Sequence, residues 1–427
     1  MMGWIRAILA ALLMAIAGQA AAQTAPSAAL QKGAASVLDL FNGKTAPEAL
    51  FSPAFLANVP AAQVNQITGQ LREQLGAARA VAKIEPRSPT AASLSIEFER
   101  GFLTLNLALA AAPPHLIEGL LVTGTEMKGD SFEKVLGEMK ALPGQTSFAV
   151  AKLGGAAPIY LARHEAERPM AIGSAFKLFL LSELSRSIAA GERKWTDVVP
   201  LNRRSLPSGF LQAWPQGAPL TLHSLAALMI SQSDNTATDV LLHALGREKV
   251  ERMLPALGVK AADRNRPFLS TFEAFALKGG KDMGAAKRWA SATEAQRRAQ
   301  LEELAKVREQ DIDPARFIGA PVAIETVEWF ASAEDLVRTM DWLRRNGGAA
   351  AHEILAINPG LGSSVAGRYD YLGYKGGSER GVINMTFLLR TKAGDWYSMA
   401  GSWNDPAKAL DDQKFVALMS RAVALVR

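Results

Sequence analysis

Two periodicities divide the chain. Val64, Ile67, Leu71 and Leu75 recur at helical spacing behind Asn58 and Pro60, residues that suit a helix start. Strict alternation follows, with Leu94, Ile96 and Phe98 on one side of one run and Leu103, Leu105, Leu107 and Leu109 on one side of the next. Alternation of that kind predicts half-buried antiparallel strands. A third strand is predicted over residues 119–127, after the Pro113-Pro114 break, which makes residues 23–142 a small α+β unit closed by a linker helix over 131–142.

From residue 143 the pattern changes. Thr146-Ser-Phe-Ala-Val-Ala-Lys, a Gly154-Gly155 turn and residues 157–162 predict a hairpin. Residues 174–188 are apolar on nearly all sides through Phe176, Leu178, Phe179, Leu180, Leu181 and Leu184, which predicts a buried helix. Several helices follow, then strands over 370–376, 381–390 and 395–403, and an amphipathic closing helix over 407–426. Such an order places strands from both ends of the 143–427 domain in one sheet, with the helical middle as a separate lobe. Residues 283–309, rich in Arg, Glu, Gln and Ala, read as an exposed helical insertion.

Composition adds boundaries to this picture. The chain has 427 residues, 49% hydrophobic and 21% charged, the balance of a folded protein with room for two cores. Residues 7–17 form a short apolar run behind Arg6, and small residues lead to Ala22, which predicts a cleavable export signal over 1–22. That run is too short for a comfortable membrane span. The expected location is therefore outside the cell or in a bacterial periplasm, with no transmembrane segment once the signal is removed. The absence of cysteine excludes disulfides, thiolate metal sites and a cysteine nucleophile. A net charge of +6 is scattered among acidic residues, with no basic stripe interleaved with aromatics, so nucleic acid is not an expected partner. His164, His223 and His243 stand alone without metal-ligand spacing, and neither a metal nor another cofactor is expected.

Three short motifs carry candidate chemistry. Ser174-Ala-Phe-Lys177 puts a hydroxyl and an ammonium on one helix face, one turn apart. A serine needs a neighbour to accept its proton, and a lysine whose charged form is disfavoured by desolvation can be that neighbour. Ser-x-x-Lys alone is common by chance; here the surrounding helix is apolar, which makes an inward lysine unusual. Ser233-Asp-Asn235 alone would be a helix cap. Lys375-Gly-Gly377-Ser378, at the end of the first late strand, offers a cation for a carboxylate and small residues for close backbone approach, although alone it would be a turn.

Together the motifs resemble, in order and approximate spacing, the Ser-x-x-Lys, Ser-Asp-Asn and Lys-Thr-Gly set of class A β-lactamases and penicillin-binding serine hydrolases. The resemblance covers roughly residues 146–427, and an added α+β domain in front is similar to the β-lactamase-like proteins found beside clavulanic acid biosynthesis. It implies an α+β fold: a β-lactamase/transpeptidase-like antiparallel sheet with a helical lobe. In element order the first domain resembles the cone-shaped α+β folds of cystatins, ketosteroid isomerases and nuclear transport factors. His115, Glu97 and Glu99 could be proposed there as isomerase-like catalysts, against the plainer reading of loop and outward strand positions.

Carried over by position, the resemblance implies Ser174 as nucleophile, Lys177 as its proton partner and Ser233 as proton relay to the leaving group. Asn235 would orient side chains or substrate, and Lys375 would bind a substrate carboxylate. Backbone N–H groups of Ser174 and Ser378 would form an oxyanion hole, with Gly376 and Gly377 at the substrate edge. The sequence departs from the family twice. Gly376 stands where Thr or Ser is usual, and no Glu-x-x-Leu-Asn loop is present. Glu273, the acidic residue nearest that region, is more readily a helix-start or surface residue than a deacylating base. Trp214 could wall the cleft or simply pack.

The resemblance therefore implies, as an expectation, a serine hydrolase acting on β-lactams, esters or D-alanyl-type peptides, with slow acyl release. The alternative is a catalytically weak penicillin-binding or cell-wall-fragment-binding protein.

Overall fold

The structure, a computed structural model, describes residues 25–427. The anticipated export signal lies outside them. The described residues form two units, up to Gly129 and from Asp130 onward, so the helix Phe132–Lys140 belongs with the second rather than closing the first.

In the first unit, helices including Ala28–Phe41 and Ala61–Leu75 precede a four-stranded antiparallel meander: β1 (Ala78–Ser88), β2 (Ala91–Phe98), β3 (Gly101–Leu109) and β4 (Ile117–Met127). The alternating leucines behave as their period requires. Leu94, Ile96, Phe98, Leu103, Leu105, Leu107 and Leu109 are buried in one cluster with Leu30, Val37, Leu40 and Phe41 of the first helix. Each such side chain contributes about 1.5–3 kcal/mol on removal from water. β1 has no counterpart in the apolar pattern because it is an edge strand carrying Arg79, Lys83, Glu85 and Arg87, with little buried surface. Ile67, on the predicted apolar helix face, is exposed.

The second unit is built on a five-stranded antiparallel sheet of β5 (Gln145–Leu153), β6 (Ile159–His164), β7 (Tyr369–Glu379), β8 (Val382–Thr391) and β9 (Trp396–Asn404), in the order β7-β8-β9-β5-β6. Strands from both ends of the domain thus share one sheet. Both faces are covered, which explains why β8 and β9 are apolar with little alternation. Along β5, Phe148 and Val150 face a cluster with Phe415, Leu418 and Met419 of the closing helix Asp412–Ala424. Ala149, Ala151 and Leu153 face the larger cluster of the helical lobe, which contains the helix Lys177–Ala189. Arg421 of the closing helix pairs with Asp130 and Glu138 at 2.8 Å each, which ties the Phe132–Lys140 helix to that face.

The predicted insertion forms two helices, Ala285–Ser291 and Glu294–Leu304. It is not wholly exposed: Trp289 and Leu304 are buried in the lobe's core and anchor it. Among the described residues, no helix is long and apolar enough to cross a membrane.

Candidate active site

The nucleophile candidate sits at a tight junction. Met170–Ala171 forms a short strand, and the chain then enters a 3-10 turn, Gly173–Phe176, before the helix Lys177–Ala189 begins. Ser174 therefore lies in the turn rather than on the first residue of a regular helix. Gly173 has φ +48°, and a Cβ there would stand 3.0 Å from Ser378 N. A Cβ on Gly377 would come within 2.3 Å of Ser174 N and 2.2 Å of Ile172 O. Both positions need glycine because two backbones run against each other, which brings the amides of Ser174 and Ser378 to the same place. Below them Phe176 stacks on Trp329 with ring centroids 3.7 Å apart.

Lys177 is fully buried. Its Nζ donates to Ser233 O at 2.6 Å and to Asn235 Oδ1 at 2.7 Å, and lies 3.1 Å from both Ser174 Oγ and Ser233 Oγ. The first two partners can only accept, so they take both hydrogens of a neutral amine and leave its lone pair facing the hydroxyls. Burial, reinforced by the nearby Lys375 charge, holds the amine's pKa well below the usual lysine range; Asp239 and Asp234 oppose that shift.

Ser233 has φ +55°, an uncommon backbone state for a non-glycine residue. Asp234 beside it is fully buried, caps the helix Asn235–Leu245 through Ala237 N, and accepts from Phe210 N at 2.8 Å and Leu211 N at 3.0 Å. The Ser-Asp-Asn turn is thus pinned from two sides. Lys375 Nζ stands 3.1 Å from Ser233 Oγ and also donates to Gly376 O. Burial lowers its pKa to about 7.

The Lys375–Ser378 motif lies in the last residues of β7, which pairs with β8 as far as Glu379 and so runs past the expected strand end at Gly376. Lys375 and Gly377 share one face, toward the helical lobe. A Cβ at Gly376, on the other face, would meet the Tyr374 hydroxyl at 2.0 Å. A Thr or Ser at this position would displace that tyrosine.

A cleft of about 290 Å³ opens beside Ser174. Asn235 and Ser378 line it, with Ser208, Thr271, Phe275, Phe317 and Trp329. Neither remaining candidate is part of that lining. Glu273 accepts from Arg247 at 2.7 and 2.9 Å and from Ser270 N at 2.7 Å, completing the capping box of the helix Thr271–Gly279. Trp214 is exposed and lies beside Phe210, with centroids 6.3 Å apart. In the first unit, Glu97 pairs with Lys128 and Glu99 with Arg79, and His115 Nδ1 is 2.9 Å from Ala110 O.

Sequence reasoning missed a second charged cluster in the same cleft. Lys278 donates to Glu328 at 3.1 Å and to Glu379 at 2.5 Å, and all three residues line the cavity with Ser174. Glu328 also accepts from Gly173 N at 3.2 Å, on the residue before Ser174. No motif spans residues 278, 328 and 379, yet the period of β7 puts Glu379 on the face of Lys375 and Gly377.

Comparison with known proteins bears on the same region. Residues 130–311 match the family model described as the Beta-lactamase enzyme family. That span contains Ser174, Lys177, Ser233 and Asn235, stops short of Lys375, and covers less than half of the chain. It supports homology of this segment to β-lactamase-fold hydrolases. No curated protein matches the chain. Among solved structures, a β-lactamase from Sphaerobacter thermophilus is similar at 21% identity and TM-score 0.47, over 69% of this chain and 94% of that one. PBP-A is similar at 14% identity and TM-score 0.46, over 68% and 93%. A β-lactamase from Chitinophaga pinensis is similar at 15% identity and TM-score 0.45, over 69% and 96%. At those scores none of the three bears on the activity of this chain.

Proposed function

We propose that this protein is an exported serine acyl-transfer hydrolase of the β-lactamase type, acting on β-lactams, esters or D-alanyl-type peptides through an acyl-enzyme on Ser174. One observation carries the reading: Ser174 Oγ, Lys177 Nζ, Ser233 Oγ and Lys375 Nζ form a chain with each step 3.1 Å long. Lys177 takes the hydroxyl proton as Oγ attacks the carbonyl carbon, and Ser233 passes a proton to the leaving nitrogen or oxygen. The amides of Ser174 and Ser378 stabilise the oxyanion. Lys375, half protonated near pH 7, holds a substrate carboxylate. Acyl release is slow, because Glu273 is committed to Arg247 and to its own helix start. The first unit is a binding or positioning module of the cone-shaped α+β kind.

A binding protein for cell-wall fragments is the second reading, favoured by that same commitment of Glu273. Ester and lactam turnover by wild type and Ser174→Ala separates the two. The hydrolase reading predicts loss of turnover in the variant; equal turnover in both proteins removes it.

A further inference from the structure

The proposed acyl-enzyme leaves one requirement unmet: a base for the water that releases the acyl group. Lys177, Ser233 and Lys375 occupy the leaving-group side, and Glu273 is engaged elsewhere. In the cavity that Ser174 lines, and against the backbone of Gly173 before it, stands the cluster of Lys278, Glu328 and Glu379.

The cluster is unbalanced as a structural ion pair. One lysine, 3% exposed, faces two carboxylates, and a surplus buried carboxylate is costly unless it takes up a proton. The two acids are also unequal. Glu328 is 3% exposed and spends its oxygens on Lys278, Gly173 N and Trp329 N. Glu379 keeps 26% of its side chain open. Along β7, Lys375, Gly377 and Glu379 share one face at a repeat of roughly 6.5–7 Å. Lys375 reaches Ser233, Gly377 abuts Ser174 N, and Glu379 follows one repeat beyond, so the nucleophile is bracketed by an amine on one side and a carboxyl on the other.

We propose that Glu379, held beside Glu328 by Lys278, is the general base that accepts a proton from the water that releases the acyl group from Ser174. This rests on the acyl-enzyme reading above. The water oxygen bonds to the acyl carbon while one of its protons passes to the Glu379 carboxylate. The bond from that carbon to Ser174 Oγ then breaks, and the proton held by Glu379 passes to Oγ. Ester and water become a carboxylic acid and a free serine, with nothing left over. Burial, with Glu328 nearby, raises the Glu379 pKa above the usual carboxylate range, against the opposing effect of Lys278. At neutral pH a reduced fraction is in the basic form, which accounts for slow release. Lys278, Glu328, Arg316 and Arg380 are the charged groups lining the cleft with Glu379.

Benzylpenicillin, mixed with full-length wild type and Glu379→Gln and followed by intact mass, provides the test. Adduct forms on both proteins, and on the variant its release slows by about 100-fold or more. Hydroxylamine, a nucleophile that needs no base, clears the variant's adduct. In wild type, release quickens as pH rises through the Glu379 pKa, whereas the variant's profile is flat; Glu379→Asp restores part of the rate. Equal adduct lifetimes in wild type and Glu379→Gln overturn the assignment while leaving the acyl-enzyme reading intact. No adduct and no product with either protein overturns both. If Glu379→Gln does not fold, the wild-type profile decides: release independent of pH across the neutral range excludes Glu379.

Discussion

The two charged clusters of the candidate site solve opposite electrostatic problems. On one side, two lysines are buried within reach of the Ser233 hydroxyl, and among the described residues no carboxylate hydrogen-bonds to either amine. On the other, two carboxylates share one lysine. Burial drives each cluster toward its neutral form: amines lose protons, and the surplus acid keeps one. The lesson is that burial can supply two bases of opposite charge type, an amine that gives up its proton readily and a carboxyl that takes one up. The amine side suits attack by Ser174, and the acid side suits attack by water.

The sharpest way to break this contrast is at Lys177. Lys177→Met keeps the apolar stem and removes the proton acceptor, so adduct formation should fall by about 10²–10⁴-fold in stopped-flow or quenched mass measurements. Unchanged adduct formation would show the amine side to be structural. Gly377→Ala is next. Its Cβ would press on three backbone atoms of the Ile172–Ser174 segment, so adduct formation should fall by about 10²–10³-fold, as for loss of one oxyanion donor, together with a lower melting temperature.

A smaller effect sharpens the role of Lys375. The amine is charged below about pH 7 and neutral above it. The preference for a carboxylate-bearing substrate over a neutral ester should therefore decline by about 10–100-fold as pH rises through that value, the range of a charged hydrogen bond. Taking the ratio of the two substrates cancels titration of Lys177. A ratio that stays level would assign carboxylate binding elsewhere. Least affected should be Leu105→Ala in the first unit, which removes a fully buried side chain at a cost of about 2–5 kcal/mol. Calorimetry should register that loss, and adduct formation should not change, since the cleft's lining belongs to the second unit.

Much of the architecture was legible because period and burial agree. The leucines at 94 to 109 alternate and are buried as a set. The closing strands are apolar because helices cover both faces of their sheet. β1 escaped notice because an edge strand with a solvated face has no apolar signal. The amine side of the site could be read because Ser174 and Lys177 lie one turn apart and the other motifs are contiguous. The acid side could not. Lys278, Glu328 and Glu379 come from a helix, a loop and a strand end, and only the fold brings them together. Glu379 alone left a trace, two residues beyond Gly377 on a strand of period two. A boundary failed where backbone pairing overrode composition: the strand expected to end at Gly376 continues, with Gly377, Ser378 and Glu379 also paired to β8.

The most direct measurement is the site of covalent attachment after incubation with a penicillin, read by intact mass and peptide mapping of wild type and Ser174→Ala. The account predicts one acyl group per chain, mapped to the peptide containing Ser174, and none on the variant. An unmodified wild-type chain with no hydrolysed product, or an acyl group that persists on Ser174→Ala, would contradict it.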